Sequence, residues 1–389
     1  MRVLILLAFV CLLGAPAAVA EKQSDLHQAL MDFAEQYRLP GAALTVIERD
    51  ETVADTATGF ADLEQQVPMR TDTLNRIGSI SKTMTMAAAI RMTRSGQLDL
   101  GRDVSAYLDS FDGPARNVTL RQLASHTGCV RGYRDGEGIS YTNYEDVFAP
   151  LELFGGDPLA CAPGDQFVYS SYGYSLLSAV MVRASGAGFA AIMEDQVWTP
   201  LALEHVGLDD IREIVRGRVH NYDLNTEGVL INAPFSDSSY KYAGAGMLAS
   251  TNDLARFGAA LIGGRFLTDQ EQDVMFAPTT LSDGSATDYG LGVYVDFAKF
   301  IETRRSYIPE PLYESLMAQA ARHHVYWHSG TSEGAVAILM IEPATGRVIA
   351  LATNRGGVEK EAIVFAMNLM ALLDDEDNAA QNEGAHAPE

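Results

Sequence analysis

The sequence predicts an α+β fold: a mainly antiparallel sheet, built from both chain ends and flanked by helices, with an inserted and largely helical lobe. Three observations predict it. Strand-like runs cluster near the two ends, at Gly41–Glu48 and Thr52–Thr58 and again at Val325–His328, Ala335–Glu342 and Arg347–Thr353. The last two are joined by Pro343-Ala344-Thr345-Gly346, a tight-turn composition that favours antiparallel pairing. Residues 100 to about 240 hold helix and loop with few clear strands, and 389 residues exceed the ~250–300 at which one core stops growing.

Met1-Arg2, the apolar run Val3–Gly14 and the small-x-small site Ala18-Val19-Ala20 read as an export signal over residues 1–20, leaving 369 residues. No later run reaches the roughly 18 apolar residues of a spanning helix, so no transmembrane anchor is expected and the chain reads as periplasmic or secreted. Ser24–Tyr37 carries Leu26, Leu30, Phe33 and Ala34 on one helical face. Ser79–Ser95 is apolar nearly all round (Met84, Met86, Ala87, Ile90, Met92), the mark of a helix buried at the centre, and Gly96 stops it. Tyr174–Ala184 is the best helix of the inserted lobe. Glu359–Leu373 closes the fold as an amphipathic helix. Residues 374–389 are acidic, small and polar, and read as a disordered tail. The sheet lobe then spans about 21–95 and 241–373 and the helical lobe about 96–240, with a site expected in the cleft between them.

The net charge of −23 (−24 without the signal) repels phosphate backbones, which excludes nucleic-acid partners. Of three cysteines Cys11 leaves with the signal. Cys129 and Cys161 can form one disulfide in an exported chain. Metal binding by this pair is the weaker alternative, because no CxxC or HxxxH spacing accompanies it.

Ser79-Ile80-Ser81-Lys82 opens the buried helix, and i,i+3 spacing lets the Lys82 ammonium reach the Ser79 hydroxyl. Free N–H groups of the first turn point toward an oxyanion at Ser79. Ser238-Ser239-Tyr240-Lys241 is a second Ser-x-x-Lys, so the motif alone is weak. Composition favours the first: the chain has 23 Arg and five Lys, and a lysine at a buried helix start can shift its pKa where arginine cannot. Gly330-Thr331-Ser332-Glu333-Gly334 matches the nucleophile elbow of α/β-hydrolases. That motif needs a strand-to-helix turn, whereas here a β-run follows, and the elbow is rejected.

Ser79-x-x-Lys82, Tyr169-Ser170-Ser171 after Pro163-Gly164, and His328-Ser329-Gly330 before a β-run stand in order, 87 and 159 residues apart from Lys82 to Tyr169 and from Tyr169 to His328. Together they resemble the motifs of the serine β-lactamase-like family, which joins class C β-lactamases, D-alanyl-D-alanine carboxypeptidases, D-aminopeptidases and esterases. Flanking phrases resemble it as well, among them Leu123-Ala124-Ser125-His126-Thr127-Gly128 and Ala243-Gly244-Ala245-Gly246. The likeness covers roughly residues 28–370. Tyr169-Ser170-Ser171-Tyr172-Gly173-Tyr174 and Ser239-Tyr240-Lys241-Tyr242 look like the mitochondrial β-lactamase-like serine proteases.

The resemblance implies Ser79 as acylated nucleophile, and Lys82 and Tyr169 sharing general-base work, with Lys82 lowering the pKa of Tyr169. It implies an oxyanion hole from the backbone N–H groups of Ser79 and Thr331, and substrate contacts from Ser171, His328, Ser329 and Gly330. It also brings Cys129 and Cys161 together near the site mouth, where a disulfide is expected. No cofactor and no metal are implied. Two positions depart from the family: Ser171 where Asn is common, and His328 where Lys is common. Both weaken the case for β-lactam hydrolysis. His126 reads as a structural loop residue and the glycines of Ala243–Gly246 as a tight turn, while Asp296–Arg322 matches poorly and reads as an insertion. The sequence therefore predicts an exported serine hydrolase acting on a small-molecule or peptide substrate. A silent scaffold of the same fold and a genuine β-lactamase or carboxypeptidase are the alternatives.

Overall fold

The computed structural model describes the backbone of residues 14–385 and the side chains of residues 20–374. Six antiparallel strands form the main sheet: β1 (Gly41–Glu48), β2 (Glu51–Asp62), β3 (Val67–Pro68), β4 (Tyr326–Ser332), β5 (Ala335–Glu342) and β6 (Arg347–Thr353). Their order is β3-β2-β1-β6-β5-β4, so the two chain ends meet where β1 pairs with β6, from Ala42↔Thr353 to Glu48↔Arg347. The expected antiparallel sheet is thus present, and Pro343–Gly346 closes its β5–β6 hairpin.

Alternation along the central strands sorts the two faces. Leu44, Val46, Ile338, Met340, Ile349 and Leu351 pack against α1 (Gly14–Gln36) and the C-terminal helix, together with Leu26, Leu30 and Phe33 of the predicted helical face. Ala337, Leu339, Ile341, Val348 and Ala350 face the opposite way, against α2 (Ile80–Arg94) and the helix Thr251–Ile262. Gly258 shows how close that helix lies: a Cβ there would stand 2.7 Å from Val348 Cγ1. Buried on both faces, these strands read as unbroken apolar runs.

The helix α2 is buried from Ile80 to Ile90 and again at Met92. Its buried hydroxyls all find partners: Ser81 Oγ donates to Gly78 O, Thr83 Oγ1 to Gly292 O and Thr85 Oγ1 to Ala243 O. A small sheet of Asn75–Arg76, Met247–Ala249 and Val206–Leu208 fixes the segment entering α2. Between residues 96 and 240 lie short helices, the long α3 (Ser171–Ser185) and a two-stranded hairpin at Tyr222–Leu224 and Leu230–Asn232. Among the described residues no single helix is long and apolar enough to cross a membrane.

Two boundaries differ from the sequence reading. The C-terminal helix α4 runs Glu359–Ala385 rather than stopping at Leu373, so the stretch read as a disordered tail is helical as far as Ala385. No proline and no glycine before Gly384 interrupts it, and Asp374 ion-pairs the buried Arg347 at 2.9 Å. The helix α1 passes through the expected cleavage point after Ala20, while residues 1–13 of the expected signal lie outside the described residues. The poorly matching stretch folds as two helices, Phe297–Thr303 and Glu310–Arg322. They bury Phe297, Ile301 and Leu316, and Phe300 meets the Trp327 ring edge-on at 4.6 Å.

Candidate active site

Ser79 caps α2 with helical φ and ψ (−65°, −9°), and its hydroxyl makes no capping bond. One turn on, Lys82 Nζ lies 3.1 Å from Ser79 Oγ, 3.0 Å from Ser171 Oγ and 2.7 Å from the Gly244 carbonyl oxygen. Lys82 is 0% exposed, and no carboxylate pairs with it among the described residues. Burial first, and then the nearby Lys241 ammonium, hold its pKa well below the usual lysine value. A neutral amine satisfies this geometry: two N–H groups donate to Gly244 O and Ser171 Oγ, and the lone pair accepts from the Ser79 hydroxyl.

Tyr169 and Ser171 flank the N-cap of α3. Ser170 is that cap, its Oγ accepting from Gly173 N–H, and its own N–H donates to His126 Nδ1 at 3.1 Å. His126 takes φ +60° and sets its ring 4.2 Å from that of Tyr169, tilted by 39°, in keeping with the structural loop role read from the sequence. Lys82 Nζ lies 4.7 Å from the Tyr169 ring centroid. Burial pushes the Tyr169 phenol well above its usual value, opposed by a hydrogen bond with Ser79. The burial that lowers Lys82 thus also favours the protonated phenol at Tyr169.

The third motif lies on the sheet edge. A Cβ on Gly330 would sit 1.8 Å from Ile77 O, and one on Gly78 (φ +47°) 2.5 Å from the Thr331 backbone N. Only two glycines permit this approach, which brings the turn before Ser79 against β4 beside Thr331. Thr331 is exposed at that edge. That approach sets the segment leading into Ser79 beside the Thr331 backbone, the pair from which the resemblance implies an oxyanion hole.

His328 does not present a charge to the opening. The ring is 2% exposed, its Nδ1 lies 2.5 Å from Ser329 O and its Nε2 3.0 Å from the Tyr289 hydroxyl. Nδ1–H donates to the carbonyl and Nε2 accepts from the phenol, which defines a neutral tautomer. Burial and the nearby Lys82 lower its pKa to about 3. The substrate contact expected of the His328 side chain is thus replaced by contacts within the fold. Ser329 Oγ donates to Glu359 Oε1 at 2.5 Å at the start of α4.

The rival motifs resolve differently. Lys241 Nζ pairs with Glu333 at 3.1 Å and Ser238 Oγ donates to Asp209, so the second Ser-x-x-Lys does not join its own serine and lysine. Ser332 lies in the β4–β5 hairpin, the context that excludes a nucleophile elbow. Cys129 and Cys161 form a disulfide with Cα atoms 5.3 Å apart. It ties the segment after His126 to the one leading into Tyr169. Sequence reasoning missed Gly244 O, Tyr289 and Glu359. The first was visible only as a turn, and the other two stand far from any motif.

Residues 25–370 match the model of the Beta-lactamase family, and the chain belongs to this family of serine hydrolases. Within it the chain is 27% identical over 317 residues to the human mitochondrial serine beta-lactamase-like protein LACTB, covering 64% of this chain and 57% of that protein. It is 29% identical over 313 residues to esterase EstB of Burkholderia gladioli, covering 71% of this chain and 76% of the esterase. The chain thus spans less than two thirds of the length of the mitochondrial relatives. In fold it resembles the octameric penicillin-binding protein homologue from Pyrococcus abyssi, with a TM-score of 0.73 and 19% identity over 91% of this chain and 77% of that one.

Proposed function

We propose that this chain is an exported serine hydrolase that acylates Ser79 and cleaves esters or amides lacking a free carboxylate, with little or no β-lactam turnover. The observation that carries this reading is the fully buried Lys82 amine, 3.1 Å from Ser79 Oγ and paired with no acid among the described residues. Lys82 takes the hydroxyl proton as Ser79 Oγ bonds to the substrate carbonyl carbon, and the N–H groups of Ser79 and Thr331 hold the oxyanion. Collapse breaks the bond to the leaving group. The proton returns to it from Lys82, with the Tyr169 hydroxyl as relay. Water then enters by the same route and releases the acid.

Two features support the substrate limits: His328 is neutral and engaged, so it supplies no cation for a carboxylate, and Ser171 stands where a longer amide is common in the family. The esterase relative agrees with ester chemistry. The intact Ser79, Lys82 and Tyr169 argue against a silent scaffold. The leader-like first twenty residues and the disulfide support export. The test is kcat/KM for a neutral ester, a chromogenic cephalosporin and a D-Ala-D-Ala peptide. The neutral ester should be cut best, and a cephalosporin cut faster than the ester would overturn the assignment.

A further inference from the structure

Among the described residues, Glu359 is the acid hydrogen-bonded to the third motif. Ser329 donates to its Oε1, and the residue keeps part of its surface open at the first position of α4. Among the described residues no lysine or arginine pairs with it and Oε2 has no hydrogen-bond partner. Its field reaches the site, where it raises the pKa of Tyr169 and of Tyr294. With His328 neutral, the charged side chain that the third motif meets through Ser329 is an acid.

We infer that Glu359 is a specificity residue that binds an ammonium or similar cationic group of the substrate through Oε2, so that cationic esters or amides are preferred over neutral and anionic ones. This rests on the reading of Ser79 as nucleophile. The Ser329 hydroxyl fixes Oε1, and a fixed carboxylate attracts a cationic group by charge, whether or not that group carries an N–H. A substrate carboxylate in the same place meets repulsion. The overall charge of −23 adds a long-range attraction for cations.

The test uses isosteric esters bearing a trimethylammonium, a tert-butyl or a carboxylate group, each placed once on the alcohol side and once on the acyl side. The readout is the ratio of kcat/KM values within one enzyme preparation, which does not depend on the folded fraction. In the wild type the cationic-to-neutral ratio should be about tenfold for one placement. It should fall to about one in Glu359→Gln and drop below one in Glu359→Lys, where the anionic ester gains. Equal ratios in wild type and Glu359→Gln, or no cationic preference on either side, would overturn the inference. Ser79→Ala separates the two levels: it should cut none of the esters, and full activity there would remove the nucleophile assignment itself.

Discussion

Replacing Lys82 by arginine installs a permanently charged side chain and removes the ability to take a proton. Lys82 has three polar partners within 3.1 Å, 0% exposure and, among the described residues, no acid to stabilise its ammonium. A guanidinium stays protonated at any working pH. If the amine is the general base, kcat/KM for a neutral ester should fall by ~10²–10⁴, the usual share of such a group. Lys82→Met, which has no titratable nitrogen, should lose as much. The wild-type pH profile carries the sign. The base works only unprotonated, so activity is lost as pH falls through the folded pKa of Lys82, and that pKa lies well below the usual 10.5. Rates should therefore be level well before pH 10. Lys241→Gln removes the second cause of the lowering and should move the acid limb to higher pH. Ester hydrolysis followed by pH-stat from pH 5 to 10.5 reads all of this. Rates still climbing between pH 9.5 and 10.5, or Lys82→Arg within tenfold of wild type, would refute the neutral-amine mechanism.

Replacing Cys129 and Cys161 together by serine should cost about 3–4 kcal/mol in urea unfolding, the chain-entropy value for a loop of this length, and two free thiols in the unreduced protein would contradict the bridge. His126 and His328 are both buried with pKa values lowered from 6.5, His328 to about 3. Unfolding then takes up protons below about pH 6.5, and stability should fall with acidification by about 1.4 kcal/mol per pH unit for each proton bound. Urea midpoints at pH 7.5, 5.5 and 4.5 measure the slope, and His328→Gln should flatten it by about one proton; an unchanged slope would show that His328 is already charged when folded. Gly330→Ala drives a Cβ into Ile77 O and should lower kcat by ~10²–10³, as loss of an oxyanion donor does, and a fully active, folded variant would separate Thr331 from the chemistry.

Much of the fold was legible because its signals are local. The apolar runs Ala335–Glu342 and Arg347–Thr353 return as strands with those bounds, and the all-round apolar character of Ser79–Ser95 returns as a helix packed on both sides. The helix end at Leu373 was misread because polarity was taken for disorder, when buried Arg347 holds Asp374 and nothing breaks the helix. In the site, the ordered motifs pointed to Ser79, Lys82 and Tyr169, yet not to their protonation. Whether a lysine or histidine is charged depends on burial and on partners such as Gly244 O and Tyr289, which lie 162 and 39 residues away from Lys82 and His328. The neutral His328 and the acid at Glu359 are properties of packing, and no spacing rule encodes them.

The central claim is that Ser79 becomes covalently acylated. Treating the folded protein with a fluorophosphonate and mapping the adduct by mass spectrometry tests it most directly. One adduct per chain should appear on the peptide bearing Ser79, slower in Lys82→Arg and absent in Ser79→Ala. An adduct on Ser332 or Ser238, or an unmodified protein under conditions that label esterase EstB, would contradict the account.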